Sequence, residues 1–308
     1  MRYSYLENAI YSKARFTVPD LSAHVRAFFD RPSGSLQYVF HDPATMKGAI
    51  VDPVWNFDRA SGQVWTASAD EILDYVARAG ITVEWVLDTH PHADHFTAAS
   101  YLATKLPGAK RGIGERVTRV QKIWAEIYND PDLPQDGRQW DHLFRDGEVF
   151  KVGSLEVRAM LSTGHTLASI TYVVGDAAFV HDTLMMPPSG SSRADFPGGS
   201  AAELWDSIRA ILDLPATTRL FVGHEYPPAG KQPNYMATVA EQRLTNIHVK
   251  DGISREEFIA RREERDATLP LPDQMLYALQ VNIRGGQLPE AGGQPFLKVP
   301  VNRFRRTG

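Results

Sequence analysis

The 308-residue chain contains no cysteine. Disulfides, zinc–thiolate sites and cysteine nucleophiles are therefore excluded, and with them a sulfurtransferase segment that works through a catalytic cysteine. No apolar run is long enough to cross a bilayer, and Met1-Arg2-Tyr3-Ser4 leads into nothing resembling a signal peptide. The expectation is a cytoplasmic protein with no membrane partner. Positive charge is not in excess either. A formal net charge of −4 argues against a general affinity for nucleic acid. Internal repeats and low-complexity tracts are also missing. At 43% hydrophobic and 23% charged, the chain reads as an ordinary globular protein, one large domain or two small ones.

Against these absences stands one dense stretch, Val86-Leu87-Asp88-Thr89-His90-Pro91-His92-Ala93-Asp94-His95. A strand-favouring run, Val83 to Leu87, ends in three histidines and an aspartate. Neutral imidazoles and a carboxylate crowded at a strand end suit a first-row transition metal. Core histidines usually occur singly, and three beside an acid carry a large desolvation cost unless a cation offsets it. His90 and His92 alternate with Pro91, so in an extended segment they point to one side. Asp94 and His95 then turn the corner into a helix expected over residues 96–106.

The remaining chain alternates strand and helix signals. Leu21, Val25, Phe28 and Phe29 fit one face of a short helix, but the preferred reading is an N-terminal extension, residues 1–30, packed on the body. Leu36 to His41 and Gly48 to Val51 read as a hairpin turning at Asp42-Pro43. Ser68-Ala69-Asp70-Glu71 reads as a capping box before the apolar stripe Ile72, Leu73, Val76 and Ala77, and Gly80 as a left-handed cap. With the strand that follows, this is a βαβ-like unit that delivers its chemistry at a strand's C-terminal end. Val117 to Ile127 is expected to be helical. His142 reads as a surface or packing residue. Leu155 to Leu161, Ile170 to Val174, Ala178 to Val180 and Leu220 to Val222 read as strands. Two further capping boxes, Ser200 to Glu203 and Ser254 to Glu257, open helices. The dense charges of the second of these read as a solvated face.

His-x-His-x-Asp-His resembles the signature of the metallo-β-lactamase superfamily, and three later sites complete the resemblance. His165 follows the strand 155–161 in Gly164-His165-Thr166. Asp182 follows the strand 178–180, and His224 follows the strand 220–222 in Gly223-His224-Glu225. The resemblance implies an α/β fold, the four-layer αβ/βα sandwich with two mixed sheets, over a single domain from residue 31 to 308. It permits a dinuclear centre: His90, His92 and His165 on one metal, Asp94, His95 and His224 on the other, Asp182 between. Two zinc ions so held imply a hydrolase of the glyoxalase II or thioesterase type.

Other stretches are similar to one branch of that superfamily, the ETHE-like persulfide dioxygenases. They are Thr89 to His95, Ser191 to Gly199, Gly223-His224-Glu225-Tyr226 and Thr238 to Arg243. In that branch one iron(II) is held by the residues matching His90, His165 and Asp182, a facial triad that leaves open positions. His92, Asp94, His95 and His224 then support the ligands. The resemblance implies that glutathione persulfide or a similar small persulfide reacts with dioxygen to give sulfite and the thiol. It assigns the glutathione contacts to Tyr226 and Arg243, and Arg193 with Asp195 to shaping a loop beside the iron. A homodimer is a base-rate and family expectation. His181 departs from the branch, standing before Asp182 where glycine is usual. The alternatives to the dioxygenase are the dinuclear zinc hydrolase and a non-catalytic metal or persulfide sensor.

Overall fold

The computed structural model describes residues 22–304. Its first half runs β1 (His24–Asp30), β2 (Ser35–His41), β3 (Lys47–Val51), β4 (Val54–Asp58), β5 (Gln63–Trp65), α1 (Ala67–Ala79), β6 (Thr82–Leu87), β7 (Phe96–Thr97), α2 (Ala99–Lys105), β8 (Lys110–Gly114), α3 (Val117–Tyr128) and β9 (His142–Phe144). A six-stranded sheet is built in the order β1-β2-β3-β6-β8-β9. Its first three strands are antiparallel, and β3, β6, β8 and β9 are parallel. The expected βαβ unit is present: α1 carries the chain from β3 to its parallel neighbour β6. The short strands β4 and β5 of that crossover form a separate three-stranded sheet with β7, which follows β6.

The second half runs β10 (Val149–Val152), β11 (Leu155–Leu161), β12 (Ile170–Val174), β13 (Ala177–His181), α4 (Ala201–Leu212), β14 (Arg219–Val222), β15 (Met236–Thr238), α5 (Val239–Thr245), α6 (Arg255–Asp266), α7 (Met275–Asn282) and the small hairpin β16 (Glu290–Ala291) and β17 (Gln294–Pro295). Strands β10 to β15 form a second mixed sheet in chain order, with one parallel pair, β13 and β14.

Alternation along the strands explains why the sheets stack. Tyr38 and Phe40 of β2 meet Phe179 of β13 at ring-centroid distances of 5.4 and 5.2 Å. Phe144 of β9 meets Tyr172 of β12 at 5.7 Å. The alternate residues Val39, Ile50 and Val86 point outward and are covered by Ile72 and Val76 of α1 and Leu102 of α2. Across the second sheet, Leu204, Ile208 and Ile211 of α4 join the core. The result is helix, sheet, sheet, helix, the period-two and period-3.6 patterns each burying one face. No described helix is long and apolar enough to cross a membrane.

Three expectations need correction. Val25, Phe28 and Phe29 belong to a strand, β1, paired residue by residue with β2; Leu21 lies outside the described residues. Val25 and Phe29 pack on the inter-sheet core and Phe28 on the α1 side, so burial of both faces imitates a helical spacing. Helix α1 starts at Ala67, with Thr66 as its N-cap. The Ser68 hydroxyl is instead tied to tertiary partners, donating to Asp30 at 2.9 Å and accepting from Asn56 Nδ2 at 2.8 Å. Helix α2 starts at Ala99 because Phe96 and Thr97 pair with β4. The other two boxes lie where expected: Ser200 accepts from the Glu203 amide, and Ser254 and Glu257 cap reciprocally.

Candidate metal centre

The ligand-type residues leave strands at one edge of the two sheets. His90 follows β6, His165 follows β11, Asp182 follows β13 and His224 follows β14. The sheets are stitched there by backbone bonds, Ile170 N–H to Thr89 O at 3.0 Å and Leu36 N–H to Gly223 O at 2.8 Å. Two glycines are required by close approach. A Cβ on Gly223 would lie 2.6 Å from Asp182 Oδ1, and one on Gly164, whose φ is +124°, would lie 2.1 Å from the Leu204 amide nitrogen.

His90, His165 and Asp182, all buried, bring one ligand atom each to within 4.8 Å of one another. Asp182 Oδ2 lies 3.9 Å from His90 Nε2 and 3.5 Å from His165 Nε2. Donors about 2.1 Å from one metal sit about 3 to 4 Å apart, so these separations suit a shared cation. The tautomers agree. The Nδ1–H of His90 donates to the Thr89 hydroxyl at 3.0 Å, and that hydroxyl donates to Asp52 at 2.8 Å. The Nδ1–H of His165 donates to the Arg193 carbonyl at 2.8 Å. Each ring therefore turns a bare Nε2 lone pair toward Asp182, and His90 Nε2 has no hydrogen-bond partner although buried. Burial and the neighbouring imidazoles hold the His90 pKa well below its ordinary value, and burial lowers that of His165. Both are neutral, as ligands must be.

The remaining four residues behave differently. His224 sits between two carboxylates, Nδ1 2.6 Å from Asp182 Oδ1 and Nε2 2.7 Å from Asp94 Oδ2. Carboxylates only accept, so both ring nitrogens carry protons. Burial opposes that charge, but Asp182 and Asp94 outweigh it and raise the His224 pKa well above its usual value. The same contacts, against burial, depress Asp94 and Asp182. Asp94 Oδ2 also accepts from the Ser35 hydroxyl at 2.6 Å and His95 Nδ1–H at 2.8 Å. His92 turns to Asp52 at 3.0 Å, and that carboxylate raises its pKa to about 9 in spite of burial.

His181, at the end of β13, has φ +40°, a left-handed conformation that a residue with a side chain rarely adopts. Its buried ring lies 5.0 Å from that of His90, and burial lowers its pKa to about 3. Arg193 and Asp195 form the expected pair, at 2.6 and 2.7 Å, and the arginine also donates to Pro270 O. Tyr226 is 68% exposed and stacks on His224 with centroids 6.1 Å apart, at the mouth of a cavity of about 630 Å³. Arg243 is not among that cavity's walls: it donates to Asp251 at 3.0 Å and to Leu212 O at 3.3 Å.

Several residues of the site carry no sequence signal. Asp52, in a left-handed turn at φ +50°, braces both Thr89 and His92. Asn282 of α7 donates to the carbonyls of His92 and His95, each at 2.7 Å, and holds the ligand loop. Ser35 comes from the other end of the chain. Helix α6 does not present a wholly solvated face: Arg262 and Asp266 are each 5% exposed and pair at 2.6 Å against the cavity.

Residues 32–224 match the Metallo-beta-lactamase superfamily pattern. The chain is 59% identical to a Beta-lactamase hydrolase-like protein of Agrobacterium fabrum over 91% of its own length, and it spans 65% of that relative. It is 43% identical to Glyoxylase B2 of Dictyostelium discoideum, covering 92% of this chain and 99% of the relative. Identity to the mitochondrial Persulfide dioxygenase ETHE1 of Homo sapiens is 28% over 87% and 91%. The crystal structure of ETHE1 from Myxococcus xanthus superposes with a TM-score of 0.68 at 30% identity, covering 86% of this chain and all of that one. With its fold, the histidines and aspartate at its strand ends and its sequence in agreement, the chain belongs to the metallo-beta-lactamase superfamily.

Proposed function

We propose that the chain is an iron(II)-dependent persulfide dioxygenase with one iron per chain. Its substrates would be dioxygen and glutathione persulfide or a similar small persulfide, giving sulfite and the thiol with uptake of water. The observation that carries this reading is the division among the histidines. His90 and His165 offer bare Nε2 lone pairs toward Asp182, whereas His224 has both nitrogens committed to carboxylates. Two imidazoles and one carboxylate with open sides match the donor set used for non-haem iron(II). When bound there, iron(II) supplies the redox chemistry that lets dioxygen react with a sulfur anion.

The chain's own groups do the rest. The Arg193 carbonyl and Thr89 hydroxyl fix the ring orientations of the two ligands. His224 holds Asp182 Oδ1, leaving Oδ2 for the cation. The cavity has the size of a small-molecule site, and Tyr226 at its mouth offers a phenol to the substrate. Likeness to the ETHE1 proteins supports the reading.

A dinuclear zinc hydrolase acting on a thioester is the second reading. His95 Nε2 and His92 Nδ1 are buried without partners, and relatives carry hydrolase and glyoxylase names. Metal analysis of the purified protein and oxygen uptake on adding glutathione persulfide decide between them. One iron per chain with brisk uptake is expected. Two zincs, no uptake and rapid hydrolysis of S-lactoylglutathione would sink the dioxygenase reading.

A further inference from the structure

The end of the molecule opposite the ligand loop holds a second pair of imidazoles. Strand β2 begins at Ser35, beside Asp94, His95 and His224, and ends at His41. At about 3.3 Å per residue the strand carries His41 about 20 Å from that cluster. His24, at the start of β1, is the register partner of His41. Residues directly opposite in neighbouring strands project to the same face. Here it is the face covered by α1, since Val39, two residues back from His41, packs with Ile72 and Val76.

The His24 and His41 rings stand edge to face, with centroids 5.2 Å apart and planes at 81°. His90 and His165 stand almost identically, at 5.0 Å and 86°. The ring spacing that suits a shared cation at the strand ends therefore recurs here. His41 is 8% exposed, and its Nδ1 is buried without a partner. Burial and the neighbouring His24 lower its pKa, so the ring is neutral and has a lone pair to give. His24 is exposed and has room to turn toward it. Both line an open cavity of about 400 Å³, large enough for an ion and its waters.

The carboxylates nearby are already committed. Arg219 holds both oxygens of Asp176, each at 2.8 Å. Asp42 accepts from Ala44, Thr45 and Ser154. Arg26 lies over the Phe28 ring at 5.9 Å, and its exposed charge is screened by solvent and salt. A calcium or magnesium ion finds no spare oxygen ligands here, whereas two neutral imidazoles suit nickel, copper and zinc.

We propose that His24 and His41 form a second metal site, for a divalent ion of the nickel, copper or zinc class, with water in the remaining positions. It is separate from the strand-end centre and stands whether that centre holds one ion or two. A second ion per chain then need not mean a dinuclear centre.

The test is calorimetric titration of nickel sulfate into tag-free protein already loaded at the strand-end centre. One saturable nickel per chain is expected. His24→Gln, at an exposed position, should abolish that binding and keep the metal already loaded, and His41→Gln should do the same. His165→Ala, which loses the strand-end metal, should still take up the nickel. Copper(II) in place of nickel should give an electron paramagnetic resonance spectrum with hyperfine coupling to nitrogen that is lost in His24→Gln. The site is overturned if wild type shows no saturable nickel binding, or if His24→Gln binds nickel as wild type does. Loss of the nickel in His165→Ala would place the ion at the strand ends and overturn it equally.

Discussion

The two ligand groups that meet at Asp182 use the same residue types and reach opposite electrostatic solutions. Around Asp182 Oδ2, His90 and His165 stand back at 3.9 and 3.5 Å, neutral, their Nδ1 protons committed elsewhere. Around Asp94, His224, His95 and Ser35 close in to 2.6–2.8 Å and satisfy the carboxylate directly. The first group leaves an uncompensated need for positive charge. The second meets part of that need with the proton on His224, while His95 Nε2 stays buried without a partner. A histidine–aspartate cluster is therefore not a metal site by composition alone. What each ring's second nitrogen is bonded to decides whether the first is free for a metal: it is free on His90, His165 and His95, and it is not on His224.

The comparison is most directly broken at His165. His165→Ala should strip the metal and reduce oxygen uptake by more than about 100-fold, beyond what outer partners of a metal usually carry. Metal content measured after gel filtration gives the answer. His224→Ala should weaken metal binding only about tenfold and keep most of the metal. Equal loss in the two variants would show that the groups are alike, and the distinction drawn above would fail. A third test uses pH on the metal-free protein. The folded pKa of His92 is raised to about 9, above its unfolded value. Its contribution is therefore fully present below pH ~6.5 and lost as pH rises through about 9. The loss amounts to roughly 3 kcal/mol at most, and Asp52→Asn should flatten that part of the thermal-unfolding profile. The smallest effect is expected for Ser35→Ala, which touches only the second group. It should cost about 2 kcal/mol in urea unfolding, the range for a hydrogen bond to a charged group, with metal content unchanged.

Much of this was readable in the chain, and the parts that were not have a common cause. The ligand-type residues could be placed because each follows a strand with a clear pattern, as His165 follows 155–161. Helix starts at Ser200 and Ser254 were legible because caps are local. Ser68 failed for the opposite reason, since its hydroxyl is claimed by Asp30 and Asn56. The burial of Arg262 was hidden because Ser191, whose carbonyl it meets at 3.1 Å, lies far away along the sequence. The same holds for Ser35, Asp52 and Asn282. Each looks ordinary until folding sets it beside the ligand loop. Strand β1 was misjudged because an edge strand covered on both faces loses its alternation.

The register shift in β13 carries a further consequence. Between Phe179 and His181 the pairing with β14 slips, and His181 takes a left-handed turn just before Asp182. Asp182 thus leaves the sheet at a bulge and not along the regular pleat. Chain length in this strand is constrained more tightly than residue identity. Removing or adding one residue between Ala177 and His181 would turn the shared carboxylate to the opposite face, away from both groups at once.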